Sequence, residues 1–157
     1  MSIFIATGSN IGDPIANLLF AKKKLQEHLS LIAESRVYLS PPVDFLDQPD
    51  FHNQVLEFSS VGAARPLDLL QILLKIEIEM GRKRKIPKGP RLIDIDILFY
   101  DFLEIQSLDL EIPHPRLFNR SFVVLPLREL PGFEDLSLRF NFPTTFPSTA
   151  VPLTTNI

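Results

Sequence analysis

Two aspartates one residue apart, Asp94 and Asp96, stand in the apolar run 92–100 (LIDIDILFY). In an extended strand, alternate side chains point to the same side. Asp94, Asp96, Leu98 and Tyr100 would then share one face, and Ile93, Ile95, Ile97 and Phe99 the other. The two aspartate Cα atoms would lie roughly 6.6–7 Å apart, within reach of one shared ion. Carboxylates this close repel one another, and the middle of a strand offers little water to relieve them. Such a pair either faces solvent on a sheet surface, as many DxD patterns do, or holds a cation. The ten residues just upstream, 82–91 (RKRKIPKGPR), include six basic ones. Alone, such a run reads as a solvated loop. Feeding straight into a carboxylate pair, it supplies what polyphosphate chemistry needs. Carboxylate and phosphate oxygens suit Mg²⁺, and Arg and Lys neutralise the charge the metal leaves over. Gly89 and Pro90 would let the loop close over a ligand.

Further downstream, His114 is clamped between Pro113 and Pro115 and followed by Arg116 and Arg120. The prolines fix the backbone on either side and so aim the ring. A polyproline-type surface turn is the alternative. The chain has no GxxxxGK[ST] run, so a P-loop is excluded. A net charge of -3 argues against a chain-wide nucleic-acid footprint. With no cysteine there is no disulfide, thiol or cysteine–zinc chemistry. The start, MSIFIATGSNIG, does not read as a signal peptide, and no apolar run is long enough to span a membrane. A cytoplasmic monomer is expected.

The elements that must hold these groups are legible from their spacing. The 157 residues fit a single domain with one core. Ile3–Ala6 reads as a buried strand that enters a tight loop over 7–13. Asp13-Pro14 is a helix start, and Ile15, Leu18, Leu19, Lys22, Leu25 and Leu29 follow at helical spacing, predicting a helix over about 14–28. Residues 32–39 read as one strand. Residues 40–50 (SPPVDFLDQPD), with three prolines and three aspartates, form a shaped loop. Alternation returns over 51–59, with Phe51, Asn53, Val55 and Glu57 on one side. A second helix starts at Arg65-Pro66 and ends at Gly81. Leu67, Leu70, Leu74 and Ile78 form its main stripe, widened by Leu69, Leu73, Ile76 and Met80. Residues 122–127 (FVVLPL) read as a short buried strand, and Pro131-Gly132 as a turn. Residues 1–140 make the domain. The stretch 141–157, uncharged and carrying three prolines and five threonines, reads as a loosely ordered tail. The order strand, helix, strand, strand, helix, strand, then added strands, is that of an α+β, ferredoxin-like βαββαβ core. Its helices pack on one side of a mainly antiparallel sheet.

Four segments together resemble the 6-hydroxymethyl-7,8-dihydropterin pyrophosphokinases of the folate pathway. They are GSNIGD (8–13), SPPVDFLDQPDFHNQV (40–55), IEIEMGRKRKIPKGPRLIDIDILFY (76–100) and IPHPRLFNRSFVVLPL (112–127). The resemblance covers residues 3 to about 131. It implies the same ferredoxin-like fold and transfer of the β,γ-pyrophosphoryl unit of ATP to the pterin's hydroxymethyl oxygen, releasing AMP. It implies that Asp94 and Asp96 bridge two Mg²⁺ ions and that Arg82 and Arg91 are the arginines of the catalytic loop. His114 and Arg120 would contact the triphosphate, and Glu77 would stand beside the nucleotide. Asn53 would hydrogen-bond the pterin, Phe51 and Phe122 would sandwich it, and Pro41 and Val43 would line its pocket. Two positions depart from the family's usual pattern. Lys88 stands where many members carry an aromatic residue, and Asp44 where many carry glycine. Two rival readings differ in class: an RNA- or anion-binding ferredoxin-like module using 82–91, and a Mg²⁺-dependent kinase that moves only the γ-phosphoryl group.

Overall fold

The computed structural model describes residues 1–42, 47–81 and 92–153. Val43, Asp44, Arg82, Lys88 and Arg91 lie outside them. The chain runs β1 (Ser2–Ser9), α1 (Pro14–Gln26), β2 (Leu31–Glu34), β3 (Tyr38–Ser40), β4 (Phe51–Ser59), α2 (Pro66–Glu79) and β5 (Asp94–Tyr100). A two-stranded hairpin follows, β6 (Ile105–Gln106) with β7 (Glu111–Ile112). Then come a 3₁₀ turn (Pro115–Asn119), α3 (Ser121–Leu127), α4 (Phe133–Ser137) and β8 (Val151–Pro152).

The main sheet has the order β5-β1-β4-β3-β8, with β2 also beside β4. Every described pairing is antiparallel. The first strand thus lies between the third and the last of the βαββαβ unit, and the α+β, ferredoxin-like reading holds. The helix starts behave as their sequences require. Asp13 caps α1 by accepting the Ala16 N–H at 3.1 Å, with Pro14 in the first turn. Gly81 follows α2 at φ 83°, a left-handed conformation that glycine adopts at little cost.

The two sheet faces are covered differently. On one, α1 and α2 close a core with Ile3, Ile5, Leu56, Phe58, Ile93, Ile95 and Ile97. On the other, Phe4, Val55, Leu98 and Phe99 pack against Leu117, Val123, Leu127, Leu130 and Leu136. This second layer corrects the reading of 122–127 as a strand. The run is helical, started by the Val123 and Val124 N–H groups donating to the Arg120 carbonyl at 3.0 Å. A short apolar run carries no period that separates helix from strand.

Other expectations also shift. β1 continues through Ser9, so the loop after it is shorter than expected. The strand expected over 32–39 is two pieces beside β4. At the break the Ser35 hydroxyl accepts the Val55 N–H at 3.0 Å, replacing a ladder bond with a side chain. In α2 the stripe is inverted. Leu69, Leu73 and Ile76 are the buried set, while Leu67, Leu74 and Ile78 are exposed. Both sets repeat at helical spacing, so periodicity alone did not separate them. In β5 the register steps between Phe4↔Phe99 and Ile5↔Ile97, leaving Leu98 as an extra residue. Beyond it the alternation changes phase. Phe99 joins the α3 side, and Tyr100 joins the α1/α2 core with its hydroxyl on the Ala64 carbonyl at 2.6 Å.

The uncharged stretch after 141, expected to be loosely ordered, makes specific contacts in its described part. Phe142 packs with its ring tilted against Phe133 at 4.9 Å and Phe118 at 5.2 Å, centroid to centroid. The Arg128 guanidinium donates to the Pro143 carbonyl, and β8 pairs with β3.

Candidate active site

Register determines what stands beside the acid pair. Across the sheet, Gly8 on β1 is opposite Asp94 on β5 and Asn53 on β4. Ala6 is opposite Asp96 and Val55. Directly opposed antiparallel residues share a face, so one row reads Asp94–Gly8–Asn53 and the next Asp96–Ala6–Val55. Between the carboxylates and the Asn53 carboxamide the floor therefore carries only a hydrogen and a methyl group. Gly8 is there for close approach, since a Cβ at this position would stand 3.1 Å from Asn53 Oδ1. Asn53 is buried and donates through Nδ2 to Ser40 Oγ at 2.8 Å, which fixes the direction of its carboxamide.

Above this floor is a cleft of about 610 Å³. The sequence-derived residues Pro41, Phe51, Asn53, Asp94, Asp96, His114, Arg120 and Phe122 all line it. Asp96 is exposed and Asp94 half-buried, so both can meet a solvated charge. His114 caps the 3₁₀ turn, its Nδ1 accepting the Arg116 N–H at 3.1 Å. That contact places the proton of the neutral ring on Nε2, a donor for an oxygen ligand. Arg120 links the 3₁₀ turn to α3, with its guanidinium 5.8 Å from the centre of the Phe122 ring.

Glu77 is elsewhere. It is 4% exposed in α2, on the opposite face of the sheet, and is not among the residues lining the cleft. Its Oε2 accepts the Ile95 N–H at 2.8 Å. Ile95 stands between the two aspartates, so Glu77 holds the strand at the point where the acid pair is displayed. Asn17 of α1, which packs on the same sheet face as α2, holds the residues leading into that strand. Its Nδ2 lies 2.9 Å from the Ile11 carbonyl, 3.1 Å from Ser9 Oγ and 3.3 Å from the Leu92 carbonyl, two residues ahead of Asp94. Sequence reading missed Asn17, because nothing in a helical asparagine signals a long-range contact. It also missed Asp109, Glu111, Pro147 and Ser148, which line the cleft from the β6–β7 hairpin and the C-terminal stretch.

The α3 roof is fastened to the sheet by a charged cluster. The Tyr38 hydroxyl and the Arg36 guanidinium, with Nε at 3.0 Å, both donate to Glu129. The Arg36 backbone N–H adds a third bond at 2.9 Å. Burial, then the bond to Glu129, pushes the Tyr38 phenol up to about 12. Burial works against ionisation of Glu129. The hydrogen bonds from Tyr38 and Arg36 outweigh it and hold the carboxyl below its usual range.

A model of the 7,8-dihydro-6-hydroxymethylpterin-pyrophosphokinase family matches residues 4–132. The chain belongs to this family. The Bacillus subtilis pyrophosphokinase, 2-amino-4-hydroxy-6-hydroxymethyldihydropteridine pyrophosphokinase, is 38% identical over 129 residues, covering 81% of this chain and 76% of the relative. Other pyrophosphokinase-family matches lie within longer proteins. The Dictyostelium discoideum folic acid synthesis protein FOL1 is 40% identical over 132 residues, 83% of this chain but 20% of that protein. The bifunctional protein FolKE of Lactococcus lactis (strain IL1403) is 43% identical over 129 residues, 81% of this chain and 36% of that protein. The chain thus spans about a fifth to a third of the length of several curated relatives it matches. A crystal structure of Plasmodium falciparum HPPK-DHPS overlays on 82% of this chain and 39% of that one, with a TM-score of 0.58 at 16% identity. At that identity the overlay speaks to the pyrophosphokinase fold.

The pyrophosphokinase family membership bears on the acid pair. Among the described residues no group of three or more His, Cys, Asp or Glu side chains converges. The two aspartates supply hard oxygen donors at the mouth of a cleft, which fits Mg²⁺. This ion keeps several waters and binds through one or two carboxylates plus phosphate oxygens rather than in an all-protein cage.

Proposed function

We propose that the chain transfers the β,γ-pyrophosphoryl group of ATP to the hydroxymethyl oxygen of 6-hydroxymethyl-7,8-dihydropterin, with two Mg²⁺ ions held by Asp94 and Asp96. The observation that carries this reading is the shared floor. An acid pair and a fixed carboxamide flanked by Phe51 stand at opposite ends of one open face, with only Gly8 and Ala6 between them. A flat heterocycle at one end then presents its alcohol to a polyphosphate at the other.

In this reading the alcohol oxygen attacks the β-phosphorus, the bond from that phosphorus to the α,β-bridging oxygen breaks, and AMP leaves with that oxygen. The hydroxyl proton passes to solvent or a phosphate oxygen, and no side chain is assigned as base. Bound Mg²⁺ would supply charge neutralisation on the phosphate oxygens. The chain's own contribution is positioning and charge. Phe51 and Phe122 stack the ring from two sides, Asn53 hydrogen-bonds its edge, and Pro41 lines the pocket. The Nε2–H of His114 and the guanidinium of Arg120 bind the triphosphate from the wall facing the acid pair. Arg82 and Arg91 neutralise charge during transfer. Glu77 acts through Ile95, fixing the strand that carries both aspartates.

The deciding experiment incubates the protein with ATP, Mg²⁺ and 6-hydroxymethyl-7,8-dihydropterin and separates the nucleotides by chromatography. Pterin-dependent AMP supports the reading. Pterin-dependent ADP would identify a γ-phosphoryl kinase instead and overturn it.

A further inference from the structure

The C-terminal stretch lies beyond residue 132, where the family match ends, yet it reaches the cleft. It comes off the aromatic cluster at Phe142, passes Pro147 and Ser148 at the cleft, and ends paired with β3, Leu39 opposite Val151. Ser121, at the start of α3, holds it in place. The buried Ser121 hydroxyl donates to the Ser148 carbonyl at 2.7 Å and accepts the Ala150 N–H at 2.8 Å, and Ala150 is itself 2% exposed. Pro143, Pro147 and Pro152 restrict the backbone along the way, so little entropy is lost in holding it. Sheet order fixes which end of the cleft it meets. β8 is at the edge farthest from β5, so the stretch stands beside Ser40, Pro41 and Phe122 and away from Asp94 and Asp96. It also carries no charged residue from 141 onward. An uncharged wall suits a neutral flat ring and offers nothing to a triphosphate.

We propose that residues 147–150, locked by Ser121, form a wall of the ring-binding end of the cleft and set its affinity for the pterin. Ser121 is a positioning residue, and Pro147 and Ser148 are the surface it positions. The inference rests on the pyrophosphokinase reading. Its test therefore begins with AMP formation by the unaltered protein, and absence of that activity would overturn the function itself.

Two variants then test the wall alone. Ser121→Ala removes both hydrogen bonds, and its expected effect is a rise in the pterin KM of roughly three- to tenfold. Ser148→Trp fills space from an exposed position that the fold does not depend on, and the pterin KM rises again. In both variants the KM for ATP stays within about twofold, because the wall is remote from the phosphate end. A pterin KM unchanged in Ser148→Trp, or ATP and pterin KM values rising together in both variants, would overturn the proposal while leaving the pyrophosphokinase reading intact.

Discussion

Gly8→Ala tests the open floor of the cleft. The backbone at Gly8 is not in the left-handed region, so an added methyl meets no conformational strain. Glycine within a strand costs roughly 0.5–1 kcal/mol relative to alanine, so the change slightly favours folding on its own. The opposing effect is local. The new Cβ would stand 3.1 Å from Asn53 Oδ1, tighter than ordinary van der Waals contact, with the His52 carbonyl next at 3.8 Å. Asn53 must then shift by a few tenths of an ångström, and its 2.8 Å bond to Ser40 Oγ must lengthen or turn. Losing the net worth of one such bond, about 0.5–1.5 kcal/mol, corresponds to roughly a two- to twelvefold change in an equilibrium constant. The expected result is a pterin KM raised by that factor, an unchanged KM for ATP, and a melting temperature within about 2 °C of the parent. Steady-state kinetics with each substrate varied, together with thermal unfolding, would measure all three. A pterin KM within about twofold of the parent refutes the idea that Gly8 keeps the floor clear for Asn53.

Asp94→Ala and Asp96→Ala should each lower turnover by orders of magnitude with an unchanged circular dichroism spectrum. Near-parental turnover in either variant would count against the metal assignment. Glu77→Ala should cost about 1–3 kcal/mol in denaturant unfolding, the usual penalty for a buried N–H left without its partner. Glu77→Gln, which keeps an acceptor for the Ile95 N–H, should recover much of it. Equal losses in the two would point to charge rather than to the hydrogen bond. The Tyr38–Glu129 contact predicts instability at both pH extremes. Glu129 is held below its usual 4.5, so its stabilisation is present above that value and is lost as acid protonates the folded carboxylate. Tyr38 is raised from 10 to about 12, so its contribution is full below pH 10 and disappears between about 10 and 12. Tyr38→Phe should reduce the alkaline loss, leaving the part that belongs to Tyr100, whose phenol is also raised by burial. A parent and variant that melt alike across that range would show that the phenol contributes nothing.

The sequence made the frame legible where local chemistry is strong. Asp13-Pro14, Arg65-Pro66 and Gly81 mark helix ends through capping and backbone restriction, and 51–59 reads as a strand from its β-branched and aromatic residues. The acid pair was legible for the same reason, since a period of two puts Asp94 and Asp96 on one face. What escaped depended on partners distant in the chain. FVVLPL is helical because a second layer, built from Leu117, Leu130 and Leu136, gives it something to bury against. Glu77 contacts the strand backbone rather than the cleft, and only the packing of α2 on β5 reveals it. The tail looked poor in structure because it lacks periodicity, yet Phe142, Ser121 and the β3 edge hold it.

The extra residue at Leu98 has a consequence for insertions and deletions. Ahead of it, β5 displays its carboxylates toward the cleft. After it, the same strand sends Phe99 among Phe4, Phe118, Phe140 and Phe142. Deleting one residue here would restore unbroken alternation. Asp94, Asp96 and Phe99 would keep their shared face, because without Leu98 the ring follows Asp96 at an even spacing, and the loss would be the buried Leu98 side chain itself. The bulge is therefore what lets the natural length keep the acids and the ring on one face, and deleting Leu98 should cost its own burial in the second layer rather than turn the strand.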